Sequence, residues 1–320
     1  MKLHHALVLD GKGGCREATQ AEMDSGQASK GTLWLDMDHE DPGCRAWLLA
    51  DPGVDEVSTE ALLVDSPRPR SFSVGEQLLV MLRAVNLSPG EDEEDMVTLR
   101  LWVEKKRVIS FRHRRVGAIE QVRAELLYGQ GPLNSSELLY DLIDHLLDRI
   151  GQVVEDLEDQ VDALEEMVLT AENREVRTKL SEVRRKSISL RRYLAPQRES
   201  LGRLHAERVP WLNDLTRARL RDAADRITRY LEGLDAARER AAVTYEELSN
   251  RLAEHMNNTM YRLSVVAAIF LPLGLLTGLL GINVGGMPGV ESPYAFAAVS
   301  VLLVLLGVLG WFFFRRNRLI

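Results

Sequence analysis

The run EELSNRLAEHMNNTMYRLSVVAAIFLPLGLLTGLLGIN, residues 246–283, decides the fold. From Leu263 to Leu280 it carries no Asp, Glu, Lys or Arg. Those 18 residues make a helix long enough to cross a hydrocarbon core of about 30 Å, at about 1.5 Å per residue. A second uncharged run, Tyr294 to Phe314, follows a short segment rich in Gly and Pro. Upstream, no proline interrupts the chain between Pro210 and Pro272. One helix can therefore run from about Asn213 to Gly281, a span of about 100 Å that no compact domain requires.

Within that helix Glu246, Asn250, Ala253, Asn257, Met260, Ser264, Ala267, Leu271, Gly274, Gly278 and Gly281 recur at alternating steps of four and three. This is the spacing of a coiled-coil seam, yet most positions are polar or small. A dry seam of this kind is unfavourable, because Asn needs partners and each Gly costs about 1 kcal/mol of helix propensity. Facing water it is tolerated, which implies several copies around a wet axis, since two spans cannot enclose a lumen. The competing account for Gly274 and Gly278 is close helix packing at small-xxx-small spacing. That account leaves Asn250, Asn257 and Ser264 unexplained. Gly281-Ile282-Asn283 then meets Gly285, Gly286, Pro288 and Gly289, so the helix ends there. A ring of Asn283 amide oxygens and Gly281 carbonyls would offer neutral oxygens that hold a cation through its water shell. The plainer reading makes Asn283 a helix cap.

Orientation follows from the basic residues. Asn283 to Pro293 holds no Lys or Arg, whereas Arg262 precedes the first span and Arg315, Arg316 and Arg318 follow the second. Both long ends are therefore expected in the cytoplasm. Tyr261, Tyr294 and Trp311 sit near the span ends, as interfacial aromatics do.

The chain has 320 residues, a charged fraction of 28% and a formal charge of -8, spread over alternating Arg-rich and acid-rich stretches. No single basic surface results, so nucleic acid is not an expected partner. Two distant cysteines, Cys15 and Cys44, suit a reduced compartment and form no disulfide framework.

The soluble part reads as an α/β domain over residues 1–134. Thr32 to Met37 is an apolar strand, Asp41-Pro42 an N-cap and N1 proline opening a helix to Leu49, and Leu78 to Leu87 a further strand. Val97, Leu99, Leu101 and Val103 alternate, then turn at Glu104 to Lys106 into Val108, Ile109 and Phe111, a hairpin with one buried face. Residues 135–209 read as an antiparallel helical hairpin, acidic in its first arm and basic in its second. Residues 210–262 are the cytoplasmic part of the long helix, 263–284 the first span, 285–293 the external loop, 294–314 the second span and 315–320 a basic tail.

The Gly281-Ile282-Asn283 triplet, the Met287-Pro288-Gly289 turn, the closely spaced terminal spans and the basic C-terminus resemble the CorA superfamily of divalent metal transporters. That family carries Gly-Met-Asn at this point. With Ile in the middle, and with the stretches Leu276 to Gly286 and Asp95 to Val103, the chain resembles the zinc-transporter (ZntB) branch over nearly its whole length. The resemblance implies an α/β/α cytoplasmic sandwich joined by long helices to a two-helix transmembrane domain, assembled as a homopentameric CorA-like funnel in a bacterial inner membrane. It places Gly281, Ile282 and Asn283 at the outer mouth and Glu291 in the external loop. The pore lining becomes Glu246, Asn250, Asn257, Met260, Leu263, Ser264, Leu271, Gly274, Thr277 and Gly278, with Met260, Leu263 and Leu271 as hydrophobic constrictions. Gly289 stands where magnesium-selective members carry an acid after Met-Pro, which points away from magnesium. The implied cargo is zinc, with magnesium, cobalt, nickel and cadmium in the same chemical range; the implied partners are other copies of the chain, the lipid bilayer and the cation itself, with no cofactor.

Other clusters of ionisable residues admit plainer accounts. The acidic stretch Glu155 to Glu166 is a solvated helix face or, through Glu155 and Asp159, a regulatory cation site. His255 lies beside the seam and could bind a transition metal or a proton. Asp36, Asp38, His39, Glu40 and Asp41 look like ligands, but capping and loop polarity explain them. Gly11 to Gly14 lacks the Walker spacing, and no hydrolase or metalloprotease motif is present, so an enzyme is not expected. A membrane-anchored sensor is the rival to a transporter; it would need neither the polar seam nor Asn283.

Overall fold

Apolar runs in the first third of the chain build one mixed sheet. The computed structural model describes residues 1–65, 67–86, 90, 92, 95–170, 174–281 and 292–316. Strands β1 (Leu3–Leu9), β2 (Cys15–Glu17), β3 (Thr32–Asp38), β4 (Arg70–Val74), β5 (Gln77–Ala84), β6 (Val97–Val103) and β7 (Arg107–Arg112) lie in the order β2-β1-β3-β7-β6-β5-β4. β3 and β7 pair in parallel, Leu35 opposite Ile109; the other neighbours are antiparallel. The helices are α1 (Gln20–Ser25), α2 (Pro42–Ala50), α3 (Glu56–Leu63), α4 (Gly117–Leu127), α5 (Ser135–Thr170), α6 (Arg174–Leu204), α7 (Asp214–Leu280) and α8 (Ala295–Arg316). The chain divides into two units, Met1–Tyr245 and Glu246–Ile320.

Helices cover both faces of the sheet. α2 begins where Asp41 accepts the Cys44 N–H at 2.9 Å and Pro42 fills the first turn; α3 begins where Asp55 accepts from Ser58 at 3.0 Å. Their Cys44, Leu48, Ala61 and Leu62 pack on Leu33, Leu35, Leu79, Met81 and Trp102. On the opposite side α6 is tied to the sheet by Ser71 Oγ donating to the Ser200 carbonyl at 2.6 Å and by the Arg83 N–H donating to Gln197 Oε1 at 2.7 Å. α5 is tied at its start by Ser135 Oγ donating to the Lys105 carbonyl at 3.0 Å. The result is the α/β/α sandwich the resemblance implied. The hairpin β6–β7 is present, but its single buried face is corrected: Arg107 to Arg112 are buried throughout, and so is β6 except Thr98, because helices close both sides.

The acidic arm also needs correction. α5 buries Leu142, Leu146, Ile150, Leu157, Val161 and Leu164, leaving its carboxylates on the flanks. Those carboxylates find arginines on α7, not only the basic helix α6 expected from sequence. Arg226 Nη1 meets Asp144 Oδ1 at 2.5 Å and its Nη2 meets Asp148; Arg240 bonds Glu165 at 2.5 Å and also Asp162. Small residues let α5 and α7 approach, since a Cβ on Gly151 would lie 2.6 Å from Tyr230 Oη and one on Gly233 would lie 3.2 Å from Val154 Cγ1. Cys44 is buried, and burial pushes its thiol up to about 11, so it is an inert core residue.

Candidate functional site

The two apolar helices meet along one stripe. On α7 Val265 is buried and Ile269, Leu273 and Leu276 are half-buried, a repeat of steps of four and three. Gly307 and Gly310 of α8 receive them: a Cβ on Gly307 would lie 3.9 Å from Leu273 Cδ1 and one on Gly310 would lie 3.6 Å from Ile269 Cγ1. The polar and small seam occupies the other side. With 3.6 residues per turn, Ser264, Leu271, Gly274 and Gly278 fall roughly 180° around α7 from the stripe that packs on α8. All are exposed, and a Cβ on Gly274 or Gly278 would meet nothing within 4 Å. The glycines therefore do not serve close packing of α7 on its own α8.

Each of the other pore-lining candidates outside the triplet is exposed as well. Glu246, Asn250, Asn257 and Met260 continue the seam, while Leu263 and Thr277 flank it. The hydroxyls are satisfied inside the helix: Ser264 Oγ donates to the Met260 carbonyl at 2.9 Å and Thr277 Oγ1 to the Leu273 carbonyl at 3.0 Å. Pro272 removes one donor from the ladder within the apolar part, leaving the carbonyl four residues earlier unpaired by it. Gly281 closes α7, its N–H donating to the Thr277 carbonyl at 2.9 Å and the Gly278 carbonyl at 3.2 Å. Ile282, Asn283 and Glu291 lie outside the described residues.

In the unit Met1–Tyr245 the metal candidates Glu155 and Asp159 are exposed on α5. Two turns earlier, a group that sequence reading missed is gathered: one donor atom each of Asp144, His145 and Asp148 lies within 4.8 Å of the others. His145 Nε2 faces Glu125 at 3.0 Å, and Arg226 bridges both aspartates. Nearby, burial pushes the Asp141 carboxyl up to about 6, with the Glu125 and Glu137 charges adding to the rise. The signal was the i, i+4 spacing of Asp144 and Asp148, hidden because Arg226 lies far away in sequence. His255 is exposed on α7 in the second unit.

Of the ligand-like cluster after β3, Asp36 is buried against Arg112, Asp38 bonds Lys2 at 2.5 Å, and Asp41 caps α2. The cap at Asp41 is as expected, but loop polarity is corrected for Asp36 and Asp38, which are buried within β3 and held there by Arg112 and Lys2.

A sheet domain is followed by a 67-residue helix and a second apolar helix, both long and apolar enough to cross a membrane, which is the build of a membrane-embedded protein. The family model described as CorA-like Mg2+ transporter protein matches residues 29–316. The divalent cation transporter CmaX of Pseudomonas aeruginosa is 39% identical over 99% of this chain and 96% of its own. The zinc transport protein ZntB of Yersinia enterocolitica is 37% identical over 96% and 93%. The solved full-length CmaX structure superposes with a TM-score of 0.84 at 38% identity, covering 99% of this chain and 98% of that one. The CorA magnesium transporter of Methanocaldococcus jannaschii gives a TM-score of 0.82 at 18% identity over 99% of both chains, a likeness of fold. The chain belongs to the CorA family of divalent-cation transporters.

Proposed function

We propose that the chain forms a homopentameric pore of the bacterial inner membrane that carries hydrated zinc. α7 lines the lumen, Gly281, Ile282 and Asn283 form its outer mouth, and both termini lie in the cytoplasm. The observation that carries this reading is the orientation of α7: its hydrophilic edge faces away from α8 into open space, so in an assembly that edge is free to meet a central axis. A helix meant only to anchor a soluble domain would gain from leucine at those positions. Met260, Leu263 and Leu271 are the apolar narrowings, where a hydrophobic ring gates by excluding water.

Zinc is favoured over magnesium by two features. The relatives named for zinc transport align over nearly the full chain, and Gly289 supplies no carboxylate directly after Met287-Pro288. The Asn283 amides hold the ion by accepting hydrogen bonds from its water shell. Zinc and magnesium entry into liposomes containing the full-length protein tests this. Zinc is expected to enter faster, and Asn283→Ala is expected to lower zinc entry about tenfold, the equivalent of about 1.4 kcal/mol. Unchanged entry in Asn283→Ala removes the mouth site; faster magnesium entry reassigns the cargo.

A further inference from the structure

Four arginines on the central strands are buried, and they fall into two kinds. Arg107 meets Asp51 at 2.6 Å and Glu104 at 2.5 Å, and Arg112 meets Asp36 at 2.8 Å. Arg83 and Arg100 are as deeply buried, 7% and 4% exposed, yet among the described residues no carboxylate lies within ion-pairing distance of either. Arg83 donates to the carbonyls of Met96 at 3.0 Å and Pro67 at 3.1 Å, and its guanidinium stands 4.9 Å from the Tyr193 ring. Arg100 donates to the Val64 carbonyl at 2.9 Å. The Nε of each is buried without a hydrogen-bond partner.

The two are neighbours. Arg83 pairs across β5–β6 with Thr98, and Arg100 with Met81, so both arginines sit diagonally on one face of the sheet. Burial pushes Arg100 down to about 10, the Arg83 charge adding to the fall and the Asp65 charge opposing it. A desolvated cation facing a like charge is held at a cost of several kcal/mol unless an anion answers it. Both arginines line a cavity of about 370 Å³ together with Thr98 and Arg114. A second cavity of about 810 Å³ shares Arg83 and Arg114 with it and adds Arg68 and Arg192. The acids on these walls are already engaged or open to water: Asp65 is 91% exposed and paired with Arg45, Glu40 faces His113, Glu199 is exposed and lies 4.0 Å from Arg203, and Asp95 is exposed.

We propose that this cleft, where β5 and β6 meet the segments following β3, α3 and β7, is a binding site for a dianionic oxyanion, inorganic phosphate or the phosphate group of a nucleotide, held by Arg83 and Arg100. Two buried guanidinium groups with no ion-paired carboxylate among the described residues suit a dianion, and the planar guanidinium matches phosphate oxygens in pairs. The larger cavity has room for the rest of a nucleotide. The site lies wholly within Met1–Tyr245 and does not depend on the identity of the transported cation.

Calorimetric titration and thermal scans of the full-length protein in detergent test it, with inorganic phosphate, ATP without metal, and sulfate as probes. Saturable binding of phosphate or ATP is expected, with a raised melting temperature. Binding of both assigns the free anion, and binding of ATP alone assigns a nucleotide. Arg100→Met is expected to weaken binding at least tenfold while raising the melting temperature of the ligand-free protein, because the uncompensated cation is gone; a merely structural arginine would lower it. Arg192→Ala, at the exposed rim, is expected to weaken binding without unfolding and serves if Arg100→Met does not fold. No binding to the native protein, or unchanged affinity in the Arg variants, overturns the site. Binding that emerges only when Glu91, Glu93 and Glu94 are changed to Gln also overturns it, since the chain's own acids would then be the counterion.

Discussion

Gly274→Phe is expected to reduce zinc entry at least about a hundredfold, a barrier increase of about 2.7 kcal/mol, while leaving the fold and the assembly intact. The position lies in the apolar half of α7, exposed, with nothing within 4 Å of an added Cβ. No contact inside the chain is disturbed, and replacing Gly in a helix improves its propensity by a few tenths of a kcal/mol or more. In the proposed pentamer five inward phenyl rings would fill a lumen sized for a hydrated ion. Gly274→Ser separates the wet edge from the dry one. On a wet edge it leaves assembly and flux near native; at a close helix crossing even that small side chain forces the partners apart. Gly310→Phe makes the opposite case, because a Cβ there already approaches Ile269 at 3.6 Å. It is expected to weaken the α7–α8 contact and lower the yield of folded protein. Flux into liposomes and size-exclusion profiles report both outcomes.

Arg112→Met is expected to destabilise the soluble domain by about 3–5 kcal/mol, a large share of the roughly 5–15 kcal/mol that holds a domain together. Asp36 on β3 is fully buried. Its oxygens receive Ser110 Oγ at 2.6 Å and Arg112 Nε at 2.8 Å, and His5 Nδ1 stands 3.5 Å away. Burial raises the Asp36 carboxyl pKa, and the Arg112 charge is the main opposing influence. Without it the carboxylate is left in a dry site, beside a His5 whose own pKa burial pushes down to about 3. Adding Asp36→Asn removes the stranded charge, so the double variant is expected to regain at least half of the loss. Urea unfolding followed by tryptophan fluorescence measures this. A loss below about 0.5 kcal/mol for Arg112→Met would show that the pair is not what holds β3 against β7.

Which parts were legible in sequence follows from the range of the interactions. The long helix, both apolar spans and the hydrophilic seam are written in periodicity and in the absence of charge, so residues 213–281 could be read directly. Asp41-Pro42 and the β6–β7 hairpin are likewise local. β1 was missed because His4 and His5 break its apolar pattern, and β4 because Arg70, Ser71 and Ser73 look like loop chemistry. The parallel pairing of β3 with β7 joins segments about 75 residues apart, and nothing local announces it. The double burial of the sheet was masked by four arginines of its strands, Arg83, Arg100, Arg107 and Arg112, because a charge in a strand normally marks a solvent face. The seam's side of α7 needed the structure, since only contacts with Gly307 and Gly310 fix which edge is already used. The Gly281-Ile282-Asn283 mouth remains a reading of sequence and resemblance.

Thiol accessibility along α7 in the liposome-embedded protein tests whether the hydrophilic edge of α7 faces water. In a Cys15→Ser, Cys44→Ala background, single cysteines at Ser264, Leu271, Gly274 and Ile269 are exposed to a membrane-impermeant, water-soluble reagent during zinc entry. Rapid modification and arrested flux are expected at the first three, and no modification at Ile269. Protection of Ser264, Leu271 and Gly274 with labelling at Ile269, or protection of all four with flux unaffected, would contradict a water-filled path along that edge.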